Sequence, residues 1–289
     1  MNGYETLNEQ PVANFSSVDF ICFTDDPLLS SETWDVRLVE PLLPADATRS
    51  QRRLKICAHR ALPEYDRSLY IDNSVLLRRP PEALFDALLG DCNIAFLQHS
   101  FRETIRDEFD EVVRVGFDAA VTCYEQLEHY MAVDPDSLTL PPLWSGLLVR
   151  RHNDAAVVAA MERWFAHVLR YSRRDQLSVW YALRAEGVQP AIHLLDTHES
   201  PFHRWPVTVE RDRARGGTVR ALDLERRLRH AEDHTARLEA ERVRLVEAHD
   251  AVCSTRSWRW TSPLRWAGRQ LPGRTGRPSD EPVGAIETS

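Results

Sequence analysis

Along residues 18–195 the apolar positions fall into short β-type runs separated by longer stretches with helical spacing. Val18–Phe23 (VDFICF) and Trp34–Val39 (WDVRLV) predict two strands. Thr48–Leu62 sets Leu54, Cys57, Ala58 and Ala61 on one face, with Arg49, Arg52, Arg53 and Lys55 around the rest, and predicts a helix that Pro63 ends. Leu69, Tyr70 and Ile71 run into Asp72, and a second apolar run, Val75–Leu77, follows at once. Pro80-Pro81 opens a helix reaching about Leu89, and Asn93–Leu97 predicts a buried strand leading into Gln98-His99. Phe101–Met131 predicts helix broken near Gly116, and Leu143–Val149 a buried strand with a glycine inside. Helices over Asp154–Leu169 and Asp175–Ala185, a strand over Ala191–Leu195 and a polar loop over Asp196–Trp205 complete the segment. This alternation predicts one α/β domain over residues 1–205, with a mostly parallel sheet and Asp72 at the carboxyl end of a central strand.

Beyond Pro206 the pattern changes. Residues 206–220 predict a linker, basic and Gly-containing over Arg211–Arg220. From Leu222 no Gly or Pro occurs until after residue 260. Leu224, Leu228, Ala231, Thr235, Leu238, Arg242, Leu245, His249 and Val252 follow alternating spacings of four and three, a heptad seam with polar breaks. Residues 221–253 therefore predict either a short coiled coil, making a homodimer, or a single solvated helix. Residues 254–269 are rich in Trp and Arg, which suits peripheral contact with a membrane surface or packing against protein. Residues 270–289 are polar and rich in Pro and Gly, and disorder is expected there.

Composition narrows the classes. The 289 residues are 43% hydrophobic, enough for a sizeable core, and the net charge of −8 argues against nucleic acid as a partner. Five scattered cysteines without a CxxC pair argue against a disulfide framework or structural zinc, and fit a reducing cytoplasm. No basic-then-apolar leader and no apolar run of spanning length occur, so the expected location is cytoplasmic, with peripheral attachment at the inner face of a membrane left open.

Candidate chemistry lies near strand ends, where ligands of open α/β sheets sit. Asp72, with Ser74 two residues on, has the spacing to hold a divalent cation facing a diphosphate; the alternative is a turn aspartate bonding its own backbone. Asp25 and Asp26 follow the first strand and could meet a nucleotide, or could simply form an Asp-Pro turn. Arg52, Lys55 and His59 share a helix at spacings that bring them together, which suits an anionic diphosphate or a solvated face. His99 and Arg102 follow the strand at Asn93–Leu97. Asp175 and Gln176 could contact a sugar or act as an acid/base pair, or Asp175 could cap its helix. His198 could complete a metal site with Asp72. No P-loop, GxSxG or HExxH motif occurs.

Taken together, GYETL (Gly3–Leu7), DFICFTDD (Asp19–Asp26), RRLKICAHRALPEYDRSLYIDNSVLL (Arg52–Leu77), QHSFRETIRDE (Gln98–Glu108) and RYSRRDQLSVWYAL (Arg170–Leu183) resemble a glycosyltransferase-like family. It is the family typified by plant turgor-regulation and mucilage-related proteins, with bacterial members. The resemblance implies a GT-A fold, Rossmann-like, using a nucleotide-diphospho-sugar donor and a glycan or lipid-linked acceptor. The motif order also parallels retaining family-8-type sugar transferases. That parallel sets Asp72-Asn73-Ser74 as the metal motif (for Mn²⁺ or Mg²⁺), Ser145 and Gly146 on the donor, and Asp175 and Gln176 on the sugar. Two departures stand out. Ser74 replaces the second acid, and a strand that similar proteins carry before the GYE turn is expected to be missing. The segment Ser254–Arg265 is similar to the ending of bacterial surface-polysaccharide glycosyltransferases. The expected function is sugar transfer in such a pathway. The alternatives are a catalytically inactive scaffold and a nucleotide-sugar hydrolase or phosphotransferase.

Overall fold

The computed structural model describes residues 5–208 and 217–254. Its main sheet is built around its longest strand. Strand β6 (Leu143–Arg150) is buried at all eight positions. It lies between β3 (Ser68–Ile71) and β5 (Ile94–Gln98), and β7 (Ala191–His193) adds to the far side of β5, giving the order β3-β6-β5-β7. β6 runs antiparallel to both neighbours, and within this sheet the parallel pair is β5 with β7. The expected mostly parallel sheet is thus a mixed one. Apolar runs report burial on two faces and carry no strand direction. For the same reason Asp72 follows an edge strand of this sheet rather than a central one, although its N–H continues the ladder by donating to Gly146 O at 2.8 Å.

Two smaller pairs flank the main sheet. β1 (Ile21–Thr24) and β2 (Asp35–Leu38) run parallel to one another. β4 (Leu76–Leu77) pairs with β8 (His203–Arg204), so the expected polar loop over Asp196–Trp205 contains a short strand. Between β1 and β3 lies a cavity of about 110 Å³ lined by Phe20, Ile21, Trp34, Leu69, Ile71 and Leu77 among others.

Helices cover the sheet. α1 (Ala47–Ile56) starts at Asp46, whose side chain accepts from Arg49 N. The single helix expected over Thr48–Leu62 is broken at Cys57, and α2 (Ala58–Ala61) follows. The guanidinium of Arg150 explains the break: it donates to Lys55 O at 2.5 Å and Ile56 O at 2.9 Å, and so occupies the last carbonyls of α1. α3 (Pro81–Leu84) follows and leads into a π-helical turn at Phe85–Leu89. α4 (Ile105–Val115) opens on a capping box between Thr104 and Asp107 and ends at Gly116, whose φ of 70° is the left-handed conformation glycine permits. α5 (Ala120–Val133) and α6 (Ala155–Arg170) follow. The helix expected from Asp175 begins as a 3-10 turn, Asp175–Leu177, before α7 (Val179–Ala185). Ile56, Phe96, Phe109, Trp164 and Leu183, with their neighbours, form one core on the helical side. Phe20, Val75, Leu84, Leu97 and Trp144 anchor a second.

The chain divides into two compact units, Met1–Arg227 and Leu228–Ser289. Helix α8 (Gly217–Ser254) covers the whole of the expected 221–253 helix and begins inside the expected linker. Leu238 and Leu245 of the predicted seam are exposed on it. The segments 255–269 and 270–289 lie outside the described residues.

Candidate functional site

The last turns of α1, the end of β3, the middle of β6 and the turn before α7 meet around one buried carboxylate. Asp175 sits in that turn because its backbone is tied from two sides: its carbonyl accepts from Trp164 Nε1 at 2.8 Å and from Ser178 N at 3.1 Å. Its side chain then points at α1. Lys55 Nζ lies 2.5 Å from Asp175 Oδ2, and the two side chains are 1% and 3% exposed. Arg52 Nε lies 3.4 Å from the same oxygen. Ser145 Oγ of β6 accepts from Lys55 Nζ at 3.0 Å and donates to Asp175 Oδ2 at 3.3 Å. Burial alone would raise the Asp175 carboxyl, but Arg52 and Lys55 hold it well below the usual carboxylate range. Burial, opposed by Asp175 and Asp72, leaves the Lys55 ammonium below its ordinary value.

Asp72 forms the accessible side of this cluster. It is 37% exposed, and its Oδ1 lies 3.9 Å from Lys55 Nζ. Tyr70 Oη donates to that oxygen at 2.7 Å and accepts from Gln51 Nε2 at 2.8 Å. Burial and the Asp72 charge push the Tyr70 phenol well up, so it stays a donor. Lys55 Nζ also sits 5.0 Å from the Tyr70 ring centre.

A second tier extends toward the end of β5. Arg174 Nη2 donates to Gln176 Oε1 at 3.2 Å and lies 4.0 Å from Glu108. Arg102 pairs with Glu111 at 2.7 Å and lies 3.8 Å from Glu108. His99 is pushed down to about 4 by burial and by Arg102 and Arg174, and is therefore a neutral imidazole at neutral pH. Its ring meets Phe101, which touches His198 and Trp205 in turn. Trp205 Nε1 donates to Ser74 Oγ at 3.1 Å, and its ring packs on Trp144, the residue before Ser145. An aromatic rim thus borders the charged cluster.

Of the residues read from the sequence, Arg52, Lys55, Asp72, Ser145, Gly146, Asp175 and Gln176 converge here. His99, Arg102, Ser74 and His198 stand in the adjoining tier and rim. Two others turn elsewhere. His59 turns to Glu162, at 2.6 Å. Asp26 accepts from Leu28 N at 2.9 Å, the local turn that was the alternative reading. Asp25 directly follows β1. Tyr70 and Arg174 were missed. Both stood in the motif segments, but a tyrosine in a β-run reads as core and an arginine before a helix as solvated.

The expected divalent metal does not fit these residues. Asp72 already accepts from Tyr70 with a lysine beside it, Ser74 accepts from Trp205, and His198 lies 3.6 Å from Asp196. Three cations, Arg52, Lys55 and Arg174, act on the same spot, where a divalent ion would meet like charge. Among the described residues, one group of three has metal-ligand spacing: Cys57, His59 and Glu162. It contains none of the expected ligands. Burial pushes its thiol up to about 12, and its carboxylate is already paired with Arg60 at 2.5 Å.

Residues 29–197 match the model of the TOD1/MUCI70 glycosyltransferase-like domain. The chain belongs to that family. The match contains every residue of the charged cluster. Among solved structures, the chain is similar to the WbbM bifunctional glycosyltransferase in its apo form. That likeness has 12% identity and a TM-score of 0.33, covering 57% of this chain and 28% of that one. The chain thus spans less than a third of the length of that protein. No curated protein matches the chain.

Proposed function

We propose that this family member is a GT-A-type glycosyltransferase that takes a sugar from a nucleotide-diphosphate donor and passes it to a glycan or lipid-linked acceptor. The observation that carries this reading is the convergence of Arg52, Lys55 and Arg174 on Asp175, beside the half-exposed Asp72. In the transfer, the bond from the sugar's anomeric carbon to the β-phosphate oxygen breaks as a bond to an acceptor oxygen forms. The acceptor's proton departs, and the diphosphate leaves with a growing negative charge. Pre-placed cations in a water-poor site stabilise that charge most.

Each residue then has a role. Arg52, Lys55 and Arg174 face the diphosphate. Asp175, ionised and enclosed by cations, is a weak base; it orders Lys55 and Arg52, while Gln176 orients Arg174. Asp72, the reachable carboxylate, meets sugar hydroxyls. Phe101, Trp205 and His198 offer flat faces to the apolar side of a pyranose ring. Helix α8 would pair two copies, and residues 254–269 would touch the membrane on its cytoplasmic side. This arrangement suits surface-polysaccharide synthesis.

The test is release of nucleoside diphosphate from a panel of nucleotide sugars, with and without glycan acceptors. Acceptor-dependent release supports transfer. Equal release with and without acceptor would make the protein a hydrolase, and no release from any donor would make it an inactive scaffold.

A further inference from the structure

Two partly buried guanidinium groups flank Asp175, each with its Nε donor left over. Arg52 Nε and Arg174 Nε are both shielded from solvent and make no hydrogen bond, Arg52 Nε keeping only its 3.4 Å ion pair with Asp175. A buried donor without a partner costs free energy comparable to a lost hydrogen bond, about 1–3 kcal/mol and more for a charged group. Two such donors on neighbouring cations are a poor arrangement for stability alone. Arg52 and burial together also work against the charged form of Arg174. The carboxylates nearby do not relieve this. Asp175 is hydrogen-bonded by Lys55 and Ser145 and meets Arg52 only as an ion pair at 3.4 Å, Asp72 is committed to Tyr70, and Glu108 is shared between Arg102 and Arg174. An anion with several oxygens would satisfy both unfilled donors and offset the repulsion between the cations.

Resting on the donor reading above, we propose that the diphosphate is gripped by Arg52 and Arg174, with Lys55 behind them, and that this protein cation set replaces a divalent metal ion. The position opposite the expected metal motif is already filled, because Lys55 lies within 3.9 Å of Asp72 and neutralises Asp175 as well. Ser74, in place of a second acid, is engaged with Trp205. A divalent ion placed there would find the second carboxylate, Asp175, already paired with Lys55 and would stand among three positive charges.

Calorimetric titration of the full chain with UDP, GDP, ADP and CDP, in EDTA and again in Mn²⁺ or Mg²⁺, tests this directly. At least one nucleotide diphosphate should bind in EDTA, and added metal should not tighten it. Arg174→Met should weaken that binding by about tenfold or more while the melting temperature is kept. Arg174→Lys, which keeps the charge and loses the fork, is the second variant should methionine unfold the chain, and it too should bind more weakly. Binding that needs metal, or that metal tightens by about tenfold, would overturn the proposal and leave the donor reading standing. Metal-independent binding unchanged in both Arg174 variants would overturn the clamp. No binding of any nucleotide diphosphate in either condition would remove the donor reading too.

Discussion

Lys55 and Asp175 are the pair on which the site's geometry rests, and the stability consequences can be stated. Lys55→Met leaves a buried carboxylate short of its main partner, at a cost of about 3–5 kcal/mol. Replacing both residues by apolar ones should recover much of that loss, because no charge is then left buried alone. Urea unfolding of the two variants checks the pair. The pH dependence has a definite sign. The Asp175 carboxyl is depressed in the folded state, so its contribution is present above the ordinary carboxylate range and is lost as pH falls toward its lowered value. His99 is also depressed, from 6.5 to about 4, which favours the neutral ring in the folded state. Its contribution is present above about 6.5 and is lost as pH falls toward about 4. His99→Gln should flatten the stability profile across that window, measured by thermal melts at successive pH values.

At the scale of elements, much was legible and some was not. Gly146 in the β6 run marked a close approach, and a Cβ there would stand 2.7 Å from the ring of Trp144. That ring is stacked on His203 and packed against Trp205, so it has little room to give. Gly146→Ala should therefore cost about 1–3 kcal/mol and disturb the Ser74–Trp205 contact, which tryptophan fluorescence would report. The strand ending at Asp72, the helix break at Gly116 and the cations of α1 followed from periodicity and turn chemistry. Strand direction did not, because an apolar run looks the same from either end. The break at Cys57 depends on Arg150, distant in sequence, and the pairing of His59 with Glu162 depends on how α2 and α6 lie together. Neither is encoded locally. Tyr70 and Arg174 illustrate the same limit, since their roles come from neighbours that only the fold supplies.

At the scale of the whole molecule, the two units suggest separable tasks. Val207 N donates to Ser74 O, so the body reaches just past Pro206. A chain ending at Thr208 should stay folded and keep nucleotide binding. The full chain should self-associate through α8, where Leu238 and Leu245 are exposed. Sedimentation of both forms checks this, and a truncated chain that unfolds would place the long helix in the body's core. The central claim is that the cluster at Arg52, Lys55 and Arg174 receives the donor's diphosphate. A crystal structure with the tightest-binding nucleotide diphosphate tests it most directly. Phosphate oxygens within hydrogen-bond reach of the Arg52 and Arg174 guanidinium groups, with the ring of Tyr70 and Asp72 at the sugar end, is the predicted result. A diphosphate seated away from all three cations would contradict the account.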